Sequence, residues 1–238
     1  MERLVEGAQR LLGLRLNQRQ CQAFQVYHDE LITWNARFNL TAITDAEGVQ
    51  VRHFLDSLSC LLAIGDVANE QSLIDVGSGA GFPGLPLKIV RPALRLTLLE
   101  ATAKKADFMR HVVNLLDLRG VKVIHARAEQ VGRDPLHREA YDWVVARAVA
   151  AMPTLVEYLL PLCRLGGHCL AQKGEDAVAE ASAAEGPVSL LGGRLNRLLP
   201  VELPGLAETR YLIIMDKVVR TPDQYPRSPG RPVKHPLG

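Results

Sequence analysis

Between residues 72 and 172 the apolar positions form short unbroken runs, and between the runs they recur every three or four residues. The runs at 72–76, 94–99, 121–125, 141–146 and 167–172 predict five strands. The spaced patterns at 84–90, 103–118 and 155–165, with a short one starting at Ala128, predict helices. Near-continuous apolar strands alternating with helices mean a mostly parallel sheet covered on both faces. After Leu190 the rhythm changes. Residues 195–199 and 210–217 read as two strands of a hairpin around Pro204-Gly205, and 174–189 as an exposed helix and loop. Ahead of the sheet the pattern is helical. Leu4, Val5, Ala8, Leu11 and Leu12 share a face that Gly13 ends. From the cap residue Asn17 a second stripe runs through Cys21, Phe24, Tyr27 or His28, Leu31, Trp34 and Phe38, and reads as packing. Prolines at 222, 226, 229, 232 and 236 forbid regular helix in the last stretch. The expected organisation is a helical extension at 1–60 packed on the core, an α/β nucleotide-binding domain at 61–217, and a basic Pro-rich arm at 218–238.

The first strand runs into Leu73-Ile-Asp-Val-Gly-Ser-Gly-Ala-Gly-Phe-Pro-Gly84. Strand, glycine turn, helix is how an α/β fold makes a nucleotide-sized pocket. One register, Gly79 to Gly84, fits the dinucleotide pattern GxGxxG. The other, Gly77, Gly79 and Gly81 with Asp75 ahead, fits the DxGxGxG loop of S-adenosylmethionine enzymes. A carboxylate at 75 attracts a sulfonium or ammonium and repels a pyrophosphate, which favours the second register. Glu100 ends the second strand, where a carboxylate can grip the two hydroxyls of a ribose. His125-Ala-Arg-Ala-Glu129 follows the third strand, beside the expected adenine. Glu129 fits there as an acceptor, and equally as an acid in a helix first turn.

Composition narrows the field. The chain has 238 residues, 47% of them hydrophobic, enough for a full core. No apolar run approaches the ~18–20 residues of a membrane helix, and the N-terminus has no apolar signal core. Cys21, Cys60, Cys163 and Cys169 form no CxxC pair and have no His partners at zinc spacing, so free thiols in a cytoplasmic protein, with no metal, are expected. A net charge of +2 is too small to argue for nucleic acid. The distribution says more: Arg220, Arg227, Arg231, Lys234 and His235 crowd the last stretch against Asp223 alone, as either an unattached tail or an arm for phosphate.

Two further stretches bear on chemistry. In Val51-Arg-His-Phe-Leu-Asp-Ser-Leu58, Arg52 and Asp56 are four apart on a helix, with His53 one turn from Asp56. A surface ion pair is the simpler expectation, a polar cluster facing a site the sharper one. The fourth strand ends Val145-Ala-Arg-Ala-Val149. It has no Asn/Asp-Pro-Pro-Tyr for an exocyclic amine, no Pro-Cys nucleophile and no Tyr-x-x-x-Lys dyad for hydride transfer. A site without base or nucleophile suits an acceptor that already carries a lone pair, such as guanine N7. Arg147 there is a candidate for holding substrate or the carboxylate of S-adenosylmethionine, or a strand-end salt bridge.

Trp34-Asn with Phe38-Asn-Leu-Thr-Ala42, His53-Phe-Leu-Asp-Ser57, Asp75 to Gly84, Arg127-Ala-Glu129, Arg147-Ala148 and Tyr225-Pro-Arg together resemble the bacterial small-subunit rRNA guanine-N7 methyltransferases, also called glucose-inhibited division protein B. The resemblance runs from about Tyr27 to the C-terminus. It departs at Ser228, Gln130 and Ala146, where another basic residue, a second acid and Ser are usual. It implies a class I, Rossmann-like methyltransferase fold with a seven-stranded sheet, S-adenosylmethionine as cofactor and 16S rRNA as partner, in a monomer. It also places Gly77, Phe82, Ala128, Glu129 and Arg147 on the cofactor, with Glu100 on the ribose. Asn39, His53 and Asp56 would lie near the incoming base, with Asp56 offsetting charge as the methyl arrives. Two other readings compete: an NAD-dependent oxidoreductase, and a non-catalytic RNA-binding module of ribosome assembly.

Overall fold

A computed structural model describes residues 1–65 and 71–237; positions 66–70 of the expected central domain and Gly238 of the expected arm lie outside the described residues. Seven strands form one sheet in the order β3-β2-β1-β4-β5-β7-β6. They are β1 (Ser72–Val76), β2 (Arg95–Glu100), β3 (Val121–His125), β4 (Tyr141–Arg147), β5 (Cys163–Lys173), β6 (Gly193–Val201) and β7 (Arg210–Lys217). The first five are parallel, and β7 runs antiparallel to both β5 and β6. Strand order reverses between β1 and β4, and ligands of such sheets bind outside the carboxyl ends of the strands at that point.

The strand pattern held: β1, β2 and β4 are buried along nearly their whole length, as unbroken apolar runs predict, while the edge strand β3 is only partly buried. One boundary moved. The helix expected over 155–165 spans Met152–Leu159, and β5 starts at Cys163. Pro153 fits a helix first turn, while Pro161 has no amide proton with which to continue the helical ladder.

Helices α1 (Glu2–Leu12) and α2 (Gln18–Phe38) share a core with the sheet. Leu4, Phe24, Tyr27 and Leu31 are fully buried in one cluster with Leu73, Leu98 and Phe108. Each such side chain is worth about 1.5–3 kcal/mol on burial. A reciprocal cap between Asn17 and Gln20 starts α2, and Asn39 ends it in left-handed conformation, φ 51°. The stretch read as ordinary helix around Arg52 is π-helical at Val49–Leu55 and becomes α-helical at Asp56.

The basic stretch after β7 is neither free nor extended into solvent. Arg227 makes a forked ion pair with Glu157, its Nη2 2.6 Å from Oε2, and Glu157 is completely buried. Arg133 donates to the carbonyls of Pro226 and Gln224, and Arg138 to those of Thr221 and Tyr225. The amide of Gly230 donates to Glu129 Oε1 at 2.9 Å. The strap therefore binds the short helix Ala128–Val131 and the helix Met152–Leu159 together.

Candidate active site

At the carboxyl edge of the sheet a cavity of about 410 Å3 opens between the glycine turn, the π-helical segment and the ends of β4 and β5. Gly77, Ser78, Gly79, Ala80 and Phe82 form one wall, and Arg52, His53 and Asp56 another. Arg147, Ala148, Gln172 and Lys173 close the floor, with Lys105 and Arg210 also at the lining. Five of these residues are Lys or Arg and one is a carboxylate.

The turn is built from packing constraints. Gly81 sits at φ +100°, and a Cβ there would overlap Leu85 and lie 2.7 Å from Tyr27 Oη. Tyr27 donates its hydroxyl to the carbonyl of Ala80 at 2.5 Å, so α2 fastens the turn directly. Asp75 is fully buried, and its Oδ2 accepts the amide of Gly84 at 2.8 Å, capping the next helix. Burial pushes its carboxyl up to about 7. It does not line the cavity, so its direct work is on the turn, and the expected attraction to a bound cation is not through contact. At Gly79 a Cβ would meet nothing nearer than a carbonyl 4.0 Å away, which leaves bare backbone for a ligand.

Glu100 ends β2 as expected and is 7% exposed. Its Oε2 accepts the amide of Gly79 at 2.9 Å and its Oε1 that of Thr102 at 2.8 Å. Each oxygen keeps a lone pair for a ribose hydroxyl. Bare turn backbone, this carboxylate and the cations at the lining fit a nucleoside that ends in an amino-acid carboxylate, as S-adenosylmethionine does.

His53, Asp56 and Arg147 come together, although 91 residues separate the ion pair. Arg147 Nη1 donates to Asp56 Oδ2 at 2.7 Å, and Nη2 to His53 Nδ1 at 3.4 Å. The expected Arg52–Asp56 surface pair does not form. Asp56 is turned inward, 4% exposed, and the sharper reading of this segment describes it. Since Nδ1 receives a proton from Arg147, the ring's own proton sits on Nε2 and is donated to Thr41 Oγ1 at 2.7 Å. Burial first, then the Arg147 charge, lowers His53 to about 3, so it is neutral near pH 7. Its ring stacks on Phe82, centroids 4.5 Å apart, and the Arg147 guanidinium lies over the same ring at 5.0 Å.

Six expected site residues are not at the lining: Asp75, Gly81, Glu100, Asn39, Ala128 and Glu129. Asn39 is exposed at the end of α2, where an αL residue is needed, and its neighbours Leu40 and Thr41 reach the cavity instead. Ala128 and Glu129 are outside the lining, and the Glu129 side chain, 2% exposed, is held by Gly230. Thr41 stood in the Phe38-to-Ala42 block without a site role, and Gln172, Lys105 and Arg210 carried no motif. Gln172 alone had a signal, being polar at the end of an otherwise apolar strand.

The comparisons follow from this geometry. Residues 20–202 match the family model for rRNA small subunit methyltransferase G. The chain belongs to that family. The Ribosomal RNA small subunit methyltransferase G of Roseiflexus sp. (strain RS-1) is 55% identical over 237 residues, all of both chains. That of Dehalococcoides mccartyi (strain BAV1) is 48% identical over 237 residues, again all of both chains. Among solved structures, a Haloferax volcanii methyltransferase complexed with the Trm112 activator has a TM-score of 0.58 at 15% identity, covering 80% of this chain and 98% of its own. TrmN from Thermus thermophilus has a TM-score of 0.52 at 17% identity, covering 71% and 53%. The fold is the class I methyltransferase fold, and the chain is a methyltransferase that uses S-adenosylmethionine. Membership in this family rules out the hydride-transfer reading. No helix among the described residues is long and apolar enough to cross a membrane.

Proposed function

We propose that the protein methylates N7 of a single guanine in 16S rRNA, in the loop of the decoding region, acting as a monomer on small subunits or their precursors in the cytoplasm. Full-length relatives named for small-subunit rRNA methylation support the substrate. The observation that carries the choice of atom is the lack of a working base at the cavity. Among its lining residues Asp56 is ion-paired to Arg147, and His53 is already neutral, with a pKa near 3 that makes it a weak proton acceptor. N7 needs no deprotonation. Its lone pair forms the new C–N bond, the C–S bond breaks with its electrons going to sulfur, and the base gains positive charge.

The chain's own residues orient and compensate. The turn from Gly77 to Phe82 lies along the cofactor, and Glu100 takes the ribose hydroxyls. The backbone of Ala128 and Glu129 borders the adenine. Arg147 holds Asp56 in place at the cavity, where its carboxylate offsets the charge developing on the base. Arg52, Lys105 and Arg210 meet RNA phosphates at the mouth.

The test is methyl transfer from labelled S-adenosylmethionine to small subunits from cells lacking this protein. Label on N7 of one 16S guanine is expected. Firm S-adenosylhomocysteine binding with no transfer would keep the fold and the cofactor and point to a different acceptor.

A further inference from the structure

Two buried acceptors at the cavity have nothing to accept. Asp56 is 4% and Gln172 5% exposed, and both line the cavity. Asp56 spends Oδ2 on Arg147, while its Oδ1 has no hydrogen-bond partner. Gln172 spends its amide protons on the Asp56 carbonyl, at 2.7 Å, and on Ser59 Oγ, at 3.3 Å, while its Oε1 has none. The Gln172 side chain is thus fixed to the Asp56 backbone, and each of the two residues keeps one side-chain oxygen without a hydrogen bond. A buried acceptor left unpaired costs roughly 1–3 kcal/mol, so the arrangement is expected to be completed by donors from a ligand.

We propose that Asp56 Oδ1 and Gln172 Oε1 select guanine by accepting the N1–H and N2–H protons of its Watson–Crick edge. The proposal rests on the guanine reading above and deepens it. Adenine and guanine both carry an unprotonated N7, so the methylated atom cannot tell them apart. Discrimination must come from another edge. Guanine presents adjacent N–H donors at N1 and N2. Adenine presents a bare N1 acceptor there, which would face two acceptors across a dry gap.

The other donor at hand is the ammonium of S-adenosylmethionine. The local charge disfavours it. Asp56 already lies between two guanidiniums, Arg147 at 2.7 Å and Arg210 Nε at 4.0 Å. A further cation would be repelled by both, whereas a neutral donor edge adds no like charge.

The substrate-side experiment uses the unmodified enzyme. Small subunits are reconstituted with guanosine or inosine at the target nucleotide; inosine keeps N7, O6 and N1–H but lacks the N2 amino group. Transfer to the guanosine subunit is expected, with kcat/KM for inosine lower by roughly tenfold or more. The protein-side arm compares Gln172→Met and Asp56→Asn with the natural enzyme. The guanosine-to-inosine ratio should fall toward one in Gln172→Met, while S-adenosylhomocysteine affinity in both variants stays within about twofold. Methylation of guanosine and inosine at equal rates by the natural enzyme would overturn the edge-reading and leave the N7 reaction standing. A tenfold or greater loss of S-adenosylhomocysteine affinity in both variants, with the ratio unchanged, would give the acceptors to the ammonium instead. No transfer to guanosine at all would be the failure of the guanine reading itself.

Discussion

Two arginine–carboxylate pairs among the described residues, Arg227–Glu157 and Arg147–Asp56, each hold a buried carboxylate and are built for different ends. Arg227 and Glu157 form a closed pair. Glu157 Oε1 accepts from the Arg227 amide and Nε, and Oε2 from Nε and Nη2, with no exposure left on the carboxylate. Arg147 and Asp56 form an open pair. One carboxylate oxygen is hydrogen-bonded, the other has no hydrogen bond and only the Arg210 charge 4.0 Å away, and the pair borders a cavity. A closed pair can only hold chain segments together. An open pair keeps capacity for something that arrives later. The strength of an ion pair therefore says little about its use; the unspent lone pair says more.

The largest effect should come from breaking the closed pair. Arg227→Ala leaves buried Glu157 with only the residue-227 amide and no counterion, and urea unfolding should show a loss of about 3–5 kcal/mol. A loss below about 1 kcal/mol would mean the strap is only loosely held. This pair also changes the meaning of removing the tail. Truncation after Lys217 should lower stability before it says anything about RNA affinity.

Opening the second pair should show the reverse split. Asp56→Ala is expected to lower kcat/KM by about a hundredfold. It should cost only about 1–2 kcal/mol in melting experiments, since Arg147 keeps its cavity and its contact with Phe82. Equal stability losses for Arg227→Ala and Asp56→Ala would erase the distinction.

A pH titration of stability sharpens it further. His53 has its pKa lowered to about 3, so the unfolded chain takes a proton that the folded chain refuses, and stability falls as pH drops below about 6.5. Asp75 is raised to about 7, so its contribution is full below about 4 and is lost as pH rises toward 7. The two slopes oppose each other between about 4 and 6.5. Asp75→Asn should uncover the His53 slope, giving a steeper acid-side loss than the natural protein. An unchanged profile would show that Asp75 titrates normally.

The smallest effect belongs to Tyr27→Phe. It removes one buried hydrogen bond to Ala80, for about 1 kcal/mol, and should raise KM for S-adenosylmethionine more than it changes kcat.

The sheet and its glycine turn were legible because their signals are local. Apolar runs, Asp75, the alternating glycines and Glu100 all speak within 30 residues. The site's other wall was not legible in this way. Asp56 and Arg147 meet across 91 residues of chain. Their pairing also depends on the π-helical phase of Val49–Leu55, which spacing by four does not anticipate. Glu129 and Asn39 show the converse. Each sits in a motif resembling a known one, yet the Glu129 side chain is claimed by the tail amide of Gly230 and the Asn39 backbone ends a helix. The tail was misjudged because Arg133 and Arg138 bind its carbonyls, and carbonyls leave no mark in a sequence.

The strap has a consequence for biosynthesis. Residues 227 and 230 leave the ribosome well after Glu157 and Glu129, laid down 70 and 101 positions earlier, yet they complete them. A chain broken off between these points carries one fully buried anion with no counterion and a second missing its amide. Such a fragment is open to proteolysis, so survival of the core depends on synthesis running past residue 230.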